Sequence, residues 1–216
     1  EITWNKISLG KVSWNLFLDS NEYSLEIILE NYGVSSKLFP FYGEHFSKGE
    51  VNEGIYVPNK YYQIWNTKKK NRSINVLFKN RRIDFFEIIP KEAVGPRINF
   101  YNLDSVVDPL SAVLTIITKN RPLVVNNVFD GRRVYSLSTE NMRLENNYNI
   151  SGFNSLFRQN LIISKYRNIW KDHNKKDLKK VEIVTGKTES GLTLPLYFKI
   201  ISKGLVFKIN YINSSL

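Results

Sequence analysis

Cysteine is absent from this 216-residue chain, which removes disulfides, thiolate metal sites and cysteine nucleophiles in one step. The absence leaves the redox compartment open, because an exported protein can do without cysteine. Long apolar runs are missing too. Mean hydropathy is -0.30, and no stretch reaches the roughly 20 apolar residues a membrane-spanning helix needs. No glycine-rich loop opens a helix to cradle a phosphate, and no serine sits in a nucleophile-elbow pattern. The two histidines, His45 and His173, lie in polar, loop-like context with no carboxylate at ligand spacing, and both are expected at the surface. The chain is therefore read as a non-enzyme with no metal and no cofactor.

What is present is apolar material for a large core, 42% hydrophobic and 13% aromatic residues, in a chain short enough to form one β-rich domain over 1–216. A net charge of +11 invites a nucleic-acid or anionic-membrane partner. Abundant Lys, Asn and Ile, the residues a low-GC genome favours, supply a competing cause. The chain starts at Glu1 and its one methionine is Met142, so removal of a leader, such as a secretory signal peptide, is expected.

Alternation dominates the pattern. Val12, Trp14, Leu16 and Leu18 share one face of an extended run, and Tyr23, Leu25, Ile27 and Leu29 repeat it after a polar turn. Residues 33–54 read as irregular, punctuated by Pro40, Gly43 and Gly49. Residues 61–65 and 73–78 read as a hairpin with a basic tip at 68–72, and 84–89 as another strand. Residues 91–103 read as a connecting loop.

One helix is expected at about 108–118. Asp108 suits the N-cap and Pro109 the first helical position, where a missing N–H is harmless. Leu110, Val113, Leu114 and Ile117 form a single apolar stripe, ended by Asn120 and Pro122. A helix of about three turns must dock that stripe on something, here the concave face of a sheet. Strands resume at 123–129, and Asp130-Gly131 reads as a type I′ hairpin turn. Weaker strands follow at 143–147 and 160–166. A strand at 180–185 leads to a closing hairpin, 194–201 and 205–212, joined through Ser202-Lys203-Gly204. The expected fold is mainly β: a curved antiparallel sheet of roughly twelve strands, barrel-like or a spiral half-barrel, around that helix.

Two charged neighbourhoods stand out. Asp104, Asp108 and Asp130 with Arg132 and Arg133 suggest a polar cluster at a cavity mouth, though a cap at Asp108, a turn at Asp130 and solvated arginines are the simpler account. Lys68, Lys69, Lys70 and Arg72, with Arg81 and Arg82, form a basic patch downstream of Tyr61, Tyr62 and Trp65. Cations interleaved with aromatics suit single-stranded nucleic acid, and the same lysines suit anionic headgroups.

The stretches Val107-Asp108-Pro109-Leu110-Ser111-Ala112 and Val128-Phe129-Asp130-Gly131-Arg132-Arg133 resemble an uncharacterised family of exported bacterial proteins, known only as a domain of unknown function. The resemblance covers nearly the whole chain in the family's order, with support from an N-terminal hairpin at 7–10 and from Leu194-Pro195. It implies a periplasmic or cell-envelope β domain of a Gram-negative cell, similar in architecture to curved-sheet lipoprotein carriers and β-spiral envelope-integrity proteins. Members often carry a cysteine pair near the strands corresponding to 123–129 and 160–166, which this chain lacks. No catalytic residues come with the family. The leading expectation is a non-enzymatic envelope protein binding a lipid or other apolar component in its concave face. The alternative is a structural or protein-binding envelope factor with a filled core. An anionic membrane surface is a further expected partner, and nucleic acid ranks last.

Overall fold

Runs of alternating residues become strands because period-two patterning buries one face of an extended chain. In the computed structural model, which describes residues 1–38, 40–119, 121–145, 150–172, 178–202 and 205–211, thirteen strands form one antiparallel sheet. The first leaf comprises β1 (Ile2–Trp4), β2 (Ile7–Leu18), β3 (Glu22–Asn31), β4 (Phe41–Asn52), β5 (Ile55–Thr67), β6 (Asn71–Lys79) and β7 (Arg82–Ile89). The second comprises β8 (Val124–Phe129), β9 (Arg133–Leu144), β10 (Phe153–Asn168), β11 (Leu178–Thr188), β12 (Thr193–Ser202) and β13 (Leu205–Asn210). Between them lie a 3-10 turn (Phe100–Asn102) and the long helix α2 (Pro109–Lys119); a six-residue helical turn, α1 (Gly33–Leu38), precedes β4.

Each leaf is a meander of sequential hairpins, and the two join where β1 pairs with β13. The sheet curls but does not close, because no ladder joins its edge strands β7 and β8. A strap spans that gap instead. The Val106 amide donates to the Arg81 carbonyl at 2.8 Å, while the Phe129 amide donates to the Val107 carbonyl at 2.9 Å. Behind the strap Phe86, Phe100 and Phe129 interlock with ring centroids 5.0–5.5 Å apart. Trp170 stacks on Phe86 at 6.1 Å and donates its indole N–H to the Gly131 carbonyl.

The helix lies inside this curl. It was expected to dock one stripe, yet Leu110, Ser111, Ala112, Leu114, Thr115, Ile116 and Ile117 are all buried and Val113 is half-buried. A strand wall on several sides covers more of a helix than a flat sheet can, so small and hydroxyl residues at 111, 112 and 115 are swallowed with the stripe.

Four local expectations are corrected. Residues 33–54 contain the twelve-residue strand β4, whose Gly43 and Gly49 mark close cross-strand approach and do not interrupt it. The Asp130-Gly131 turn is not type I′. Gly131 alone has positive φ, +81°, and it sits with Arg132 between Asp130 and Arg133, whose backbones are hydrogen-bonded. Both-positive pairs occur instead at Asn5-Lys6, Glu53-Gly54 and Asn80-Arg81, between paired strands. The N-terminal hairpin accordingly turns at 5–6 and not within 7–10. The strand expected at 160–166 lies within the longer β10, whereas of 143–147 only 143–144 are strand, as the end of β9, and 146–147 lie outside the described residues. Residues 203–204 of the last turn, Asn120 and His173 lie outside the described residues.

Candidate functional site

Asp108 caps α2 as its position demands. One carboxylate oxygen accepts the Leu110 and Ser111 amides at 2.8 and 3.1 Å. The other accepts the hydroxyls of Ser47, at 2.8 Å, and of Ser111. The Tyr23 hydroxyl lies 2.6 Å from that of Ser111 and 3.0 Å from that of Ser47. All four residues are buried. Asp108 is thus inside the curl and not at a cavity mouth. Burial pushes its carboxyl above the usual carboxylate range although four donors oppose the shift, and burial with the Asp108 charge raises Tyr23. Ser47 bonds directly to Asp108 and His45 to Tyr61, so no serine–histidine–carboxylate relay exists here. The cluster holds the helix entry in register. Asp108 was legible as the cap, while Tyr23 and Ser47 come from β3 and β4 and carried no local sequence signal for it.

Asp130, Arg132 and Arg133 are brought together at the β8–β9 turn. The Asp130 carboxylate accepts the Arg132 and Arg133 amides at 2.8 and 2.7 Å and pairs with the Arg133 guanidinium at 3.0 Å. Arg133 also donates to the Tyr166 hydroxyl at 2.8 Å. Arg132 leans the other way, 3.6 Å from Glu92, which Arg72 holds at 2.6 Å. Burial and the neighbouring Arg72 lower Arg132. Glu92 and Tyr166 come from distant stretches and had no local sequence signal.

The basic patch is not one surface. Lys68, Lys69 and Lys70 are exposed at the β5–β6 turn. Arg72 was read as part of that tip, but it lies inside β6, opposite Trp65 and bound to Glu92. Arg81 and Arg82 stand at the far end of β6, roughly 25 Å along a nine-residue strand, and Arg82 pairs with Asp104 at 2.5 Å. Tyr61 is buried. Cations and aromatics do not alternate along one exposed strip here.

His45, expected at the surface, is half-buried inside the curl because β4 pairing puts it on the face of Ser47 and opposite Ile27. Its Nδ1 lies 3.2 Å from the Tyr61 hydroxyl. Burial pushes its pKa down to about 4 against the pull of Asp130. The unfolded chain takes up this proton near 6.5 and the folded chain only near 4, so protons favour unfolding between those values. Wild type should therefore lose stability relative to His45→Gln as pH falls from 6.5 towards 4, by at most about 3 kcal/mol, with a constant difference above pH 7. Urea unfolding of both proteins across that range measures it. A pH-independent difference would sink the assignment.

A different surface lines the concave side near the β1–β13 junction. Ile2, Ile209, Phe198 and Ile183 are successive cross-strand partners, and Ile183 packs in the cluster containing Ala112 and Ile116 of the helix. On the other side Val12 and Trp14 oppose Leu29 and Ile27, and Trp14 packs against the cluster containing Leu110 and Leu114. Trp14 and Phe198, beside the helix clusters, and Ile2, Trp4, Val12, Ile200, Phe207 and Ile209, away from them, all remain half-buried. They form an apolar trough only in the sense of a strip on the concave side that the helix leaves half-covered. Half of it was legible as alternation, but its two banks come from stretches far apart in the sequence.

No group of three histidines or carboxylates able to hold a metal ion occurs among the described residues, and no described helix is long and apolar enough to cross a membrane. No family model matches this chain, and neither a curated protein nor a solved structure matches it.

Proposed function

We propose that this protein is a non-enzymatic envelope component that holds a lipid or similar apolar molecule in its concave trough. The observation that carries the reading is the half-buried apolar face on β1, β2, β12 and β13, beside a helix buried on nearly every side. Apolar side chains left half-covered on a concave surface gain free energy when an apolar chain covers them, at about 25 cal/mol per Å². The resemblance of residues 107–112 and 128–133 to exported β domains supports the compartment. A second reading, a structural or protein-binding factor with a filled core, draws support from the packed helix and the aromatic plug.

Trp4 and Trp14 in the trough are built-in reporters. Titration with a dansyl-labelled fatty acid should give energy transfer from tryptophan with micromolar affinity, and Phe207→Asp should weaken it at least tenfold, since burying a charge in the trough is costly. Absence of transfer, or transfer indifferent to Phe207→Asp, would overturn the carrier reading in favour of the filled core.

A further inference from the structure

The wall of the sheet carries a second concavity, away from the trough. It is a cleft of about 500 Å³ lined by Asn126, Asn127, Val134, Tyr135, Ser136, Lys165, Tyr166 and Arg167. Its floor is β9. Its two sides are β-bulges in the neighbouring strands: the β8–β9 register shifts between Val125 and Val128, and the β9–β10 register between Ser164 and Arg167. Two facing bulges push both walls out of the ladder at the same level, which opens a recess that a regular sheet lacks. Each bulge holds a non-glycine residue at positive φ, Asn127 at +52° and Lys165 at +47°. Asparagine tolerates this conformation; lysine has no such preference. A lysine held there against its backbone preference is a reason to look at what its side chain faces.

The lining has one sign. Lys165 and Arg167 are exposed, neither has an ion-pair partner among the described residues, and no carboxylate lines the cleft. The Tyr166 oxygen accepts from Arg133, leaving its O–H hydrogen to be donated; at the opposite wall Asn126, whose Oδ1 accepts from Ser136, keeps its NH₂ as a donor, while Asn127 gives an N–H to the Asp104 carbonyl. Two cations with amide and hydroxyl groups around a small recess match a dianion carrying several acceptor oxygens.

We propose that this double-bulge cleft binds a phosphate monoester, with Lys165 and Arg167 carrying the charge recognition. Such a group could arrive as a small soluble metabolite or as a lipid headgroup, and two arms separate these sources. In the first, sn-glycerol 3-phosphate is titrated calorimetrically into the full chain. In the second, phosphatidylcholine vesicles with and without phosphatidic acid are floated with it. Saturable binding of glycerol 3-phosphate assigns a soluble source. Recruitment to phosphatidic acid vesicles alone assigns a headgroup. Binding in neither arm overturns the proposal.

Lys165→Gly is the informative variant, because glycine accepts the +47° backbone and removes the cation. It should weaken binding about tenfold while the melting temperature stays within about 2 °C of wild type or rises. Arg167→Gln should weaken binding similarly. Affinity within twofold of wild type in both variants would overturn the proposal even if binding occurred. The cleft uses none of the trough residues, so failure here leaves the carrier reading standing, and the reverse also holds.

Discussion

Asp108→Ala is expected to destabilise the fold by about 3 kcal/mol, read as a lower urea midpoint with an unchanged slope. Two costs add. The helix loses its N-cap, about 1 kcal/mol. The Ser47 and Ser111 hydroxyls lose their acceptor deep inside the curl, at roughly 1–3 kcal/mol for orphaned buried groups. Relief from burying a carboxylate offsets part of this. Asp108→Asn should cost only about 1 kcal/mol, because its amide oxygen keeps the Leu110 and Ser111 amides and its NH₂ can donate to the hydroxyls.

The pair also carries a pH signature. The folded carboxyl holds its proton to higher pH than the unfolded one, which releases it near 3.8. Between those values the folded state binds more protons, so wild type loses stability as pH rises through the window. The Asn variant lacks that loss. The gap between the two proteins should therefore shrink as pH rises from 3.8, and a widening gap would refute the burial assignment.

Gly49→Ala is expected to cost about 3 kcal/mol or more and to slow folding to a native state. An added Cβ would lie against the Val57 carbonyl oxygen, 2.8 Å from Pro58 Cα and 2.9 Å from the Asn59 nitrogen. All three are backbone atoms in the bulge where β5 crosses β4, so nothing can swing aside. Gly43→Ala in the same strand is the control. Its Cβ would meet the edge of the Trp65 ring at 3.2 Å, and Trp65 is 39% exposed and able to move. That variant should lose no more than about 1 kcal/mol. Equal losses in the two would mean that strand propensity, and not backbone approach, sets the cost. Thermal or urea unfolding of both variants decides it.

These two glycines also show where sequence reasoning stops. Alternation in 12–18 and 23–29, and the Asp108-Pro109 start of the helix, were legible because each is a local property: a period and a cap. Glycine in β4 looks like punctuation unless one knows that another backbone passes against it, which is a fact about β5. His45 had no partner within reach in sequence; its burial follows from pairing with Ile27 and Gln63. The Asp130–Arg133 contact was legible because both residues belong to one turn. The Glu92 clamp on Arg72 and Arg132, the joining of the trough's two banks and the double-bulge cleft were not, since each depends on pairing between separate segments. The full burial of α2 was hidden for a related reason: the stripe recorded the most apolar face, while the curvature of the wall decided how many faces would be covered.

The meeting of β1 with β13 has a bearing on how the molecule assembles. Every other rung of the sheet joins strands that follow one another in the chain, so each hairpin closes a short loop at small entropic cost. At this one place the partners are far apart in the chain: the Glu1 nitrogen donates to the Asn210 carbonyl across 209 positions. The strand supplying the contact is three residues long. Two fans of quickly formed hairpins are thus expected to wait on one slow encounter. Until the last strand arrives, Trp4 and the neighbouring apolar bank have no opposite wall. The trough exists only once β1 and β13 have paired.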